Sequence, residues 1–154
     1  MDPVSAPRPN RRTKAKPATA RRVPRAAYKP GEVIIVDDDQ SVLKALATLV
    51  RSMGFKVRTF DRPSMVLQQT FPSTNACLLI DIYLPEMSGI ELCQRLNQVG
   101  QALPAILITA RNDELTQRLV RGSRATAVLY KPIDERPLFQ VIERAIALSR
   151  PGQR

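Results

Sequence analysis

From Gly31 onward, short apolar runs alternate five times with segments whose apolar residues recur at three- and four-residue spacing. The runs Val33 to Val36, Cys77 to Ile82 and Ala105 to Ala110 are almost free of polar residues. That composition marks parallel strands covered by helices on both faces. Lys56 to Phe60 alternates as a short strand, and Thr126 to Tyr130 reads as the last. Between them, a helix starting near Ser41 puts Val42, Leu46, Leu49, Val50 and Met53 on one face and stops at Gly54. A second helix, capped by Asp61 and opened by Pro63, is predicted to reach about Thr70. Ser88-Gly89-Ile90-Glu91 has capping-box spacing, which opens a third helix running to Gly100 with Ile90, Leu92, Cys93 and Leu96 inward. The fourth, Asp113 to about Arg121, is polar and Arg-rich and reads as an exposed element; the closing helix, from about Asp134 to Ser149, carries Leu138, Val141, Ile142, Ala145, Ile146 and Leu148. Five strands alternating with five helices predict an α/β fold with a doubly wound parallel sheet and right-handed crossovers.

The polar residues where the runs stop form a set. Asp37 and Asp38 follow the first strand, Asp81 ends the third, Thr109 ends the fourth and Lys131 follows the fifth. In doubly wound sheets the ligand crevice lies outside the carboxyl ends of the strands, so all five are expected to line it. Acids crowded there repel one another, and the cluster is tolerable only if a cation or a lysine neutralises it. A hard divalent ion suits such oxygen ligands.

Composition narrows the chemistry. At 154 residues and 44% hydrophobic the length prior is one domain with an ordinary core. No stretch approaches the roughly 18 to 20 apolar residues of a membrane helix, and the amino terminus lacks an apolar signal segment, so a cytoplasmic location is expected. Histidine is absent, which removes the usual general base and the usual nitrogen ligand. Any phosphohistidine donor must therefore be another protein. Cys77 and Cys93 sit in apolar settings and read as buried free thiols. The net charge of +10 is concentrated in residues 1 to 30, where nine basic residues oppose Asp2 alone; that segment carries +8 and the remainder +2. Residues 1 to 30 read as a disordered basic Pro/Ala/Arg-rich tail, 31 to 150 as the folded domain and 151 to 154 as a short C-terminal tail. Nucleic-acid or other polyanion binding is expected only through that basic tail, as an alternative output.

The motifs Val33-Ile-Ile-Val-Asp-Asp-Asp39, Asp81-Ile-Tyr-Leu-Pro-Glu-Met-Ser-Gly89, Ile106-Leu-Ile-Thr-Ala110 and Tyr130-Lys131-Pro132, in that order and spacing, resemble the receiver domain of bacterial two-component response regulators. The resemblance covers about Gly31 to Arg150. It implies a flavodoxin-like sheet of strand order 2-1-3-4-5. It also implies that Asp81 accepts a phosphoryl group from a sensor histidine kinase or phosphotransfer protein, with Thr109 and Lys131 assisting. Mg²⁺ would be held by Asp37, Asp38, Asp81 and the backbone carbonyl of Tyr83. Such a domain is a phosphoacceptor with its own autophosphorylation and autodephosphorylation chemistry, and not an enzyme that turns over a substrate. Signalling would proceed at the face of the fourth helix, last strand and final helix, toward a downstream protein target or a second copy of the chain as a homodimer. After the last helix only Arg150-Pro151-Gly152-Gln153-Arg154 remains, too short for a helix-turn-helix module, so the expectation is action by protein contact as a stand-alone receiver or phosphorelay intermediate, or a truncated piece of a longer regulator.

Several positions depart from, or bear on, the family pattern. The aromatic that usually swings inward three positions before the lysine is Val128 here, and a short branched side chain has no comparable swing. This motivates the alternative of a receiver with weakened switching. Tyr83 and Arg111, two residues beyond Asp81 and Thr109, border the phosphate by resemblance, and Lys131-Pro132 is expected to be cis. A small aspartate-based phosphatase is the competing enzyme class. It is disfavoured because Gln40 and Ser41 follow Asp37-Asp38-Asp39 where a D-x-D-x-T pattern would need a threonine.

Overall fold

The computed structural model describes residues 29–152. The reading of residues 1 to 30 as a basic tail thus falls almost wholly outside the described residues, as do 153 and 154. Ten elements alternate: β1 (Glu32–Val36), α1 (Gln40–Ser52), β2 (Lys56–Phe60), α2 (Pro63–Leu67), β3 (Ala76–Asp81), α3 (Gly89–Gln98), β4 (Ala105–Thr109), α4 (Glu114–Gly122), β5 (Ala127–Tyr130) and α5 (Glu135–Leu148). The five strands are parallel, in the order β2-β1-β3-β4-β5. This is the strand order that the resemblance implies.

Alternation along the central strands builds two cores. Val33, Ile35, Cys77, Leu79, Ile106 and Ile108 point to the face covered by α1 and α5, where Leu46, Val50, Leu138, Ile142 and Ile146 meet them. Ile34, Val36, Leu78 and Ile80 point the other way, against Val66 of α2 and Leu92 and Leu96 of α3. With both faces covered, all six residues of β3 are buried, which is why the sequence shows an unbroken apolar run there. Burying each large aliphatic side chain contributes about 1.5–3 kcal/mol.

Helix ends depart from the sequence reading in instructive ways. The first helix begins at Gln40 because the Asp39 carboxylate accepts from the N–H groups of Ser41 and Val42. Gly54 stops it as expected, at φ +93°, a left-handed conformation that suits glycine. Asp61 does not cap α2; its carboxylate accepts from the Gln40 side chain, and Arg62 occupies the cap position without a side-chain bond. That helix ends at Leu67 instead of near Thr70, where the Gln69 N–H closes a tighter turn onto the Val66 carbonyl at 3.0 Å. Gln101 then ties the segment down, accepting from the Phe71 N–H and donating to the Gln69 carbonyl. Ser88 caps α3 by accepting from Glu91 N–H, but the Glu91 carboxylate pairs with Arg95 one turn on, so only half of the capping box forms.

Candidate functional site

The winding order sets β1 beside β3, so the residues leaving their carboxyl ends meet. Asp37 is fully buried, Asp81 is 7% exposed and Asp38 is open to solvent. Each of these three aspartates offers a carboxylate oxygen within 4.8 Å of the others. Asp37 Oδ1 accepts from Asp39 N–H at 2.9 Å, and Asp81 Oδ1 accepts from Tyr83 N–H at 2.9 Å. Lys131, entering from beyond β5, donates to Asp37 Oδ2 at 2.9 Å and to Asp81 Oδ2 at 2.7 Å. One ammonium thus holds two of the three carboxylates. The cluster as a whole keeps a net negative charge.

Burial dominates the titration of Asp81 and lifts its carboxyl above the usual range, against the pull of Lys131 and the Tyr83 N–H and with a smaller push from Asp37. Burial would lower the Lys131 ammonium, but its bonds to Asp81 and Asp37 prevail and raise it. The lysine is therefore charged at neutral pH and the acidic groups are held for a cation or an electrophile.

Thr109 ends β4 fully buried. Its hydroxyl accepts from Arg111 N–H at 3.0 Å and lies 3.4 Å from the Arg111 carbonyl. Lys131-Pro132 is cis, as the resemblance implied. Gly89, the last residue of the Asp81 motif, opens α3 directly beneath the phosphoacceptor candidate. A Cβ there would fall 2.3 Å from the Asp81 backbone oxygen and 2.7 Å from Ile80 Cγ2. The structure thus brings together Asp37, Asp38, Asp81, Thr109 and Lys131 at one rim of the sheet, as the sequence predicted.

One part of the site was not legible in the sequence. The Tyr83 hydroxyl lies 2.6 Å from the Oγ1 of Thr116 on α4, and the Arg111 guanidinium stacks 4.5 Å from the Tyr83 ring centroid. Arg111 also pairs with Asp113 at 2.7 Å, while Asp113 accepts from both the N–H and the hydroxyl of Thr116 at 2.8 Å. The Thr116 N–H and hydroxyl, followed by Arg111, hold the Asp113 carboxyl below its usual range, and Asp113 in turn raises Arg111. Thr116 is the sole buried residue of α4, a polar one inside a polar helix, which no hydrophobic pattern signals.

Cys77 is buried and Cys93 half-buried; both are free. Burial pushes Cys77 up to about 12 and Cys93 up to about 11, so neither supplies a thiolate at neutral pH. No helix among the described residues is long and apolar enough to cross a membrane.

Residues 33–143 match the response regulator receiver domain family. The response regulator protein TodT of Pseudomonas putida is 37% identical over 124 residues, which cover 79% of this chain and 53% of that protein. TmoT of Ectopseudomonas mendocina, also a response regulator, is 34% identical over 119 residues, 76% of this chain and 53% of that one. The chain spans about half the length of these curated relatives. Among solved structures, the response regulator StyR superposes with a TM-score of 0.69 at 38% identity, covering 79% of this chain and 61% of that chain. FixJ-N superposes with a TM-score of 0.70 at 29% identity, covering 78% and 96%.

Proposed function

The chain belongs to the response regulator receiver domains of two-component signalling, and from that membership we propose that Asp81 accepts a phosphoryl group from a histidine on a partner kinase or phosphotransfer protein. The observation that carries this reading is the meeting of Asp37, Asp38 and Asp81 within 4.8 Å, with Lys131 bonded to two of them. A carboxylate oxygen of Asp81 attacks phosphorus, the P–N bond of the donor breaks, and its electron pair leaves with the partner's imidazole nitrogen. The 154 residues hold no histidine, so the donor histidine lies outside them.

The donor set fits a hard divalent cation: three carboxylates, one of them open to solvent, and no nitrogen or thiolate ligand in the cluster. Mg²⁺ would be held by Asp37, Asp38, Asp81 and the Tyr83 carbonyl. When bound it neutralises charge that would otherwise repel the phosphoryl group. Lys131 turns from Asp81 to a phosphoryl oxygen, and the Thr109 hydroxyl donates to another. The buried floor beneath Asp81, closed by Gly89, fixes the carboxylate for in-line attack.

Intact mass before and after treatment with acetyl phosphate and Mg²⁺ tests the reading. Wild type should gain roughly 80 mass units, one phosphoryl group on a carboxylate, and Asp81→Asn should gain none. Equal gain in both would place the acceptor elsewhere.

A further inference from the structure

The fourth helix is held to the domain in an unusual manner. Of its apolar residues, Leu115 is 57% exposed, Leu119 38% exposed and Val120 half-buried, and the one buried side chain is Thr116. Hydrophobic burial therefore contributes little to fixing α4 in place. Its attachment is polar and concentrated at its first turn, where Asp113 caps Thr116 and the Thr116 hydroxyl meets the Tyr83 hydroxyl at 2.6 Å. These contacts close a ring. Tyr83 donates its N–H to Asp81, its hydroxyl pairs with Thr116, Thr116 donates to Asp113, Asp113 pairs with Arg111, and Arg111 returns both to the Tyr83 ring and, through its N–H, to the Thr109 hydroxyl. The ring begins at the candidate phosphoacceptor and ends at the hydroxyl expected to meet the phosphoryl group.

Resting on the reading of Asp81 as phosphoacceptor, we propose that the Tyr83–Thr116 hydroxyl pair is the latch through which the state of Asp81 sets the position of α4. Val128 cannot provide an aromatic swing on β5, and it lies opposite Leu107 in the sheet, away from the ring. Tyr83 is anchored two residues from Asp81 and reaches α4 directly. A phosphoryl group on Asp81 removes the carboxylate charge that orients Tyr83 N–H. It also gives the Thr109 hydroxyl a new acceptor, which draws its proton from the Arg111 carbonyl 3.4 Å away. Both supports of the ring loosen together, the hydroxyl pair opens, and α4 loses the one polar contact that holds its buried side to the β3 end of the sheet. Tyr83 and Thr116 act in this scheme as positioning residues, through their side-chain hydroxyls; what meets Asp81 is the Tyr83 backbone N–H.

Hydrogen exchange across residues 114–122, with intact mass on the same samples, tests the latch in wild type, Tyr83→Phe and Thr116→Ser. Tyr83→Phe removes one hydroxyl and keeps the ring under Arg111. Without phosphoryl donor, its α4 amides should exchange about fivefold faster than wild type, the factor for one net hydrogen bond. Acetyl phosphate with Mg²⁺ should speed α4 exchange in wild type and in Thr116→Ser, which retains a hydroxyl, but add nothing further in Tyr83→Phe. Mass labelling gives the labelled fraction of each sample, to which its exchange rate is referred. A wild type that takes up no label refutes the phosphoacceptor reading by itself, while the unlabelled comparison still judges the hydroxyl pair. Labelled protein in which α4 responds equally in wild type and Tyr83→Phe, or an unlabelled Tyr83→Phe with wild-type exchange, overturns the latch.

Discussion

Replacing Gly89 by alanine sets two physical effects against each other with opposite signs. Gly89 opens α3, and its φ lies outside the left-handed region, so helix propensity alone makes alanine more favourable by about 1 kcal/mol. The new methyl carbon, however, would sit 2.3 Å from the Asp81 backbone oxygen and 2.7 Å from Ile80 Cγ2. The second contact is the end of a side chain, but that side chain is fully buried and has little room to turn. The first is backbone of β3, the strand paired to both β1 and β4, and it cannot retreat without dragging the Asp81 carboxylate along. Moreover, Gly89 N–H donates to the Ile82 carbonyl at 2.9 Å, so backing the helix away breaks a bond that closes the loop. Overpacking of this kind costs about 1–3 kcal/mol, and backbone involvement argues for the upper part of that range, about 2–3 kcal/mol before the propensity gain. The net expectation for Gly89→Ala is a loss of about 1–2 kcal/mol by urea denaturation with unchanged m-value. Phosphoryl labelling should slow as well, because any relief of the clash moves the acceptor. A Gly89→Ala protein as stable as wild type, or more stable, would refute the claim that α3 is pressed against the Asp81 carbonyl.

Lys131→Ala leaves the buried Asp37 and Asp81 without their shared cation, which should cost about 3 kcal/mol in EDTA, with part of the loss restored by added Mg²⁺. Labelling by acetyl phosphate should survive in Lys131→Ala more fully than in Asp81→Asn, because the lysine reads the phosphoryl group more than it creates the acceptor; equal loss in both would contradict that division. Asp81 has a raised carboxyl pKa in the folded state, so its proton binding favours folding most below the unfolded value of about 3.9 and that contribution is lost as pH rises through the folded value. Asp81→Asn should accordingly be the more stable protein at neutral pH without divalent ions, with the difference shrinking on acidification, as read from urea midpoints. Asp113 shifts the other way: its contribution to folding is present above about pH 3.9 and disappears as pH falls through its lowered folded value. The deficit of Asp113→Ala in thermal or urea stability, from a lost helix cap, should therefore be clear at neutral pH and should close in acid.

What the sequence revealed and what it concealed follow from how each residue is held. Strand ends announced the site because a buried parallel strand tolerates no charge along its length, so Asp81 after Leu78-Leu79-Ile80 has to mark the rim. Asp37 and Asp38 were indistinguishable in that reading; only the fold shows that the first turns inward to Lys131 and the second faces water. Asp61, read from the sequence as a cap, shows the same limit at helix ends: its carboxylate accepts from the Gln40 side chain, whereas Asp39 aims its own at the free N–H groups of α1. The ring through Tyr83, Arg111, Asp113 and Thr116 left no trace in periodicity, because its members come from two loops and a helix and meet through side-chain hydroxyls and a stacked guanidinium.

Sheet order also explains why the neutralising group has to be a lysine and why it has to come from β5. The first and third strands are neighbours, so Asp37 and Asp81 are forced together, whereas β5 lies two strands beyond β3. With strands about 4.8 Å apart, a group leaving β5 has to cross the end of β4 to reach either carboxylate. Thr109 at the end of β4 is short and buried and leaves that path open, and the four-carbon stem of Lys131 spans it with only the ammonium at the acids. A shorter cation would stop over Thr109. The geometry places one mobile positive charge where it can hold the acids together in the resting domain. On the proposed reading that charge leaves Asp81 when something more negative arrives beside it, so the counterion of the resting domain would also sense the phosphoryl group.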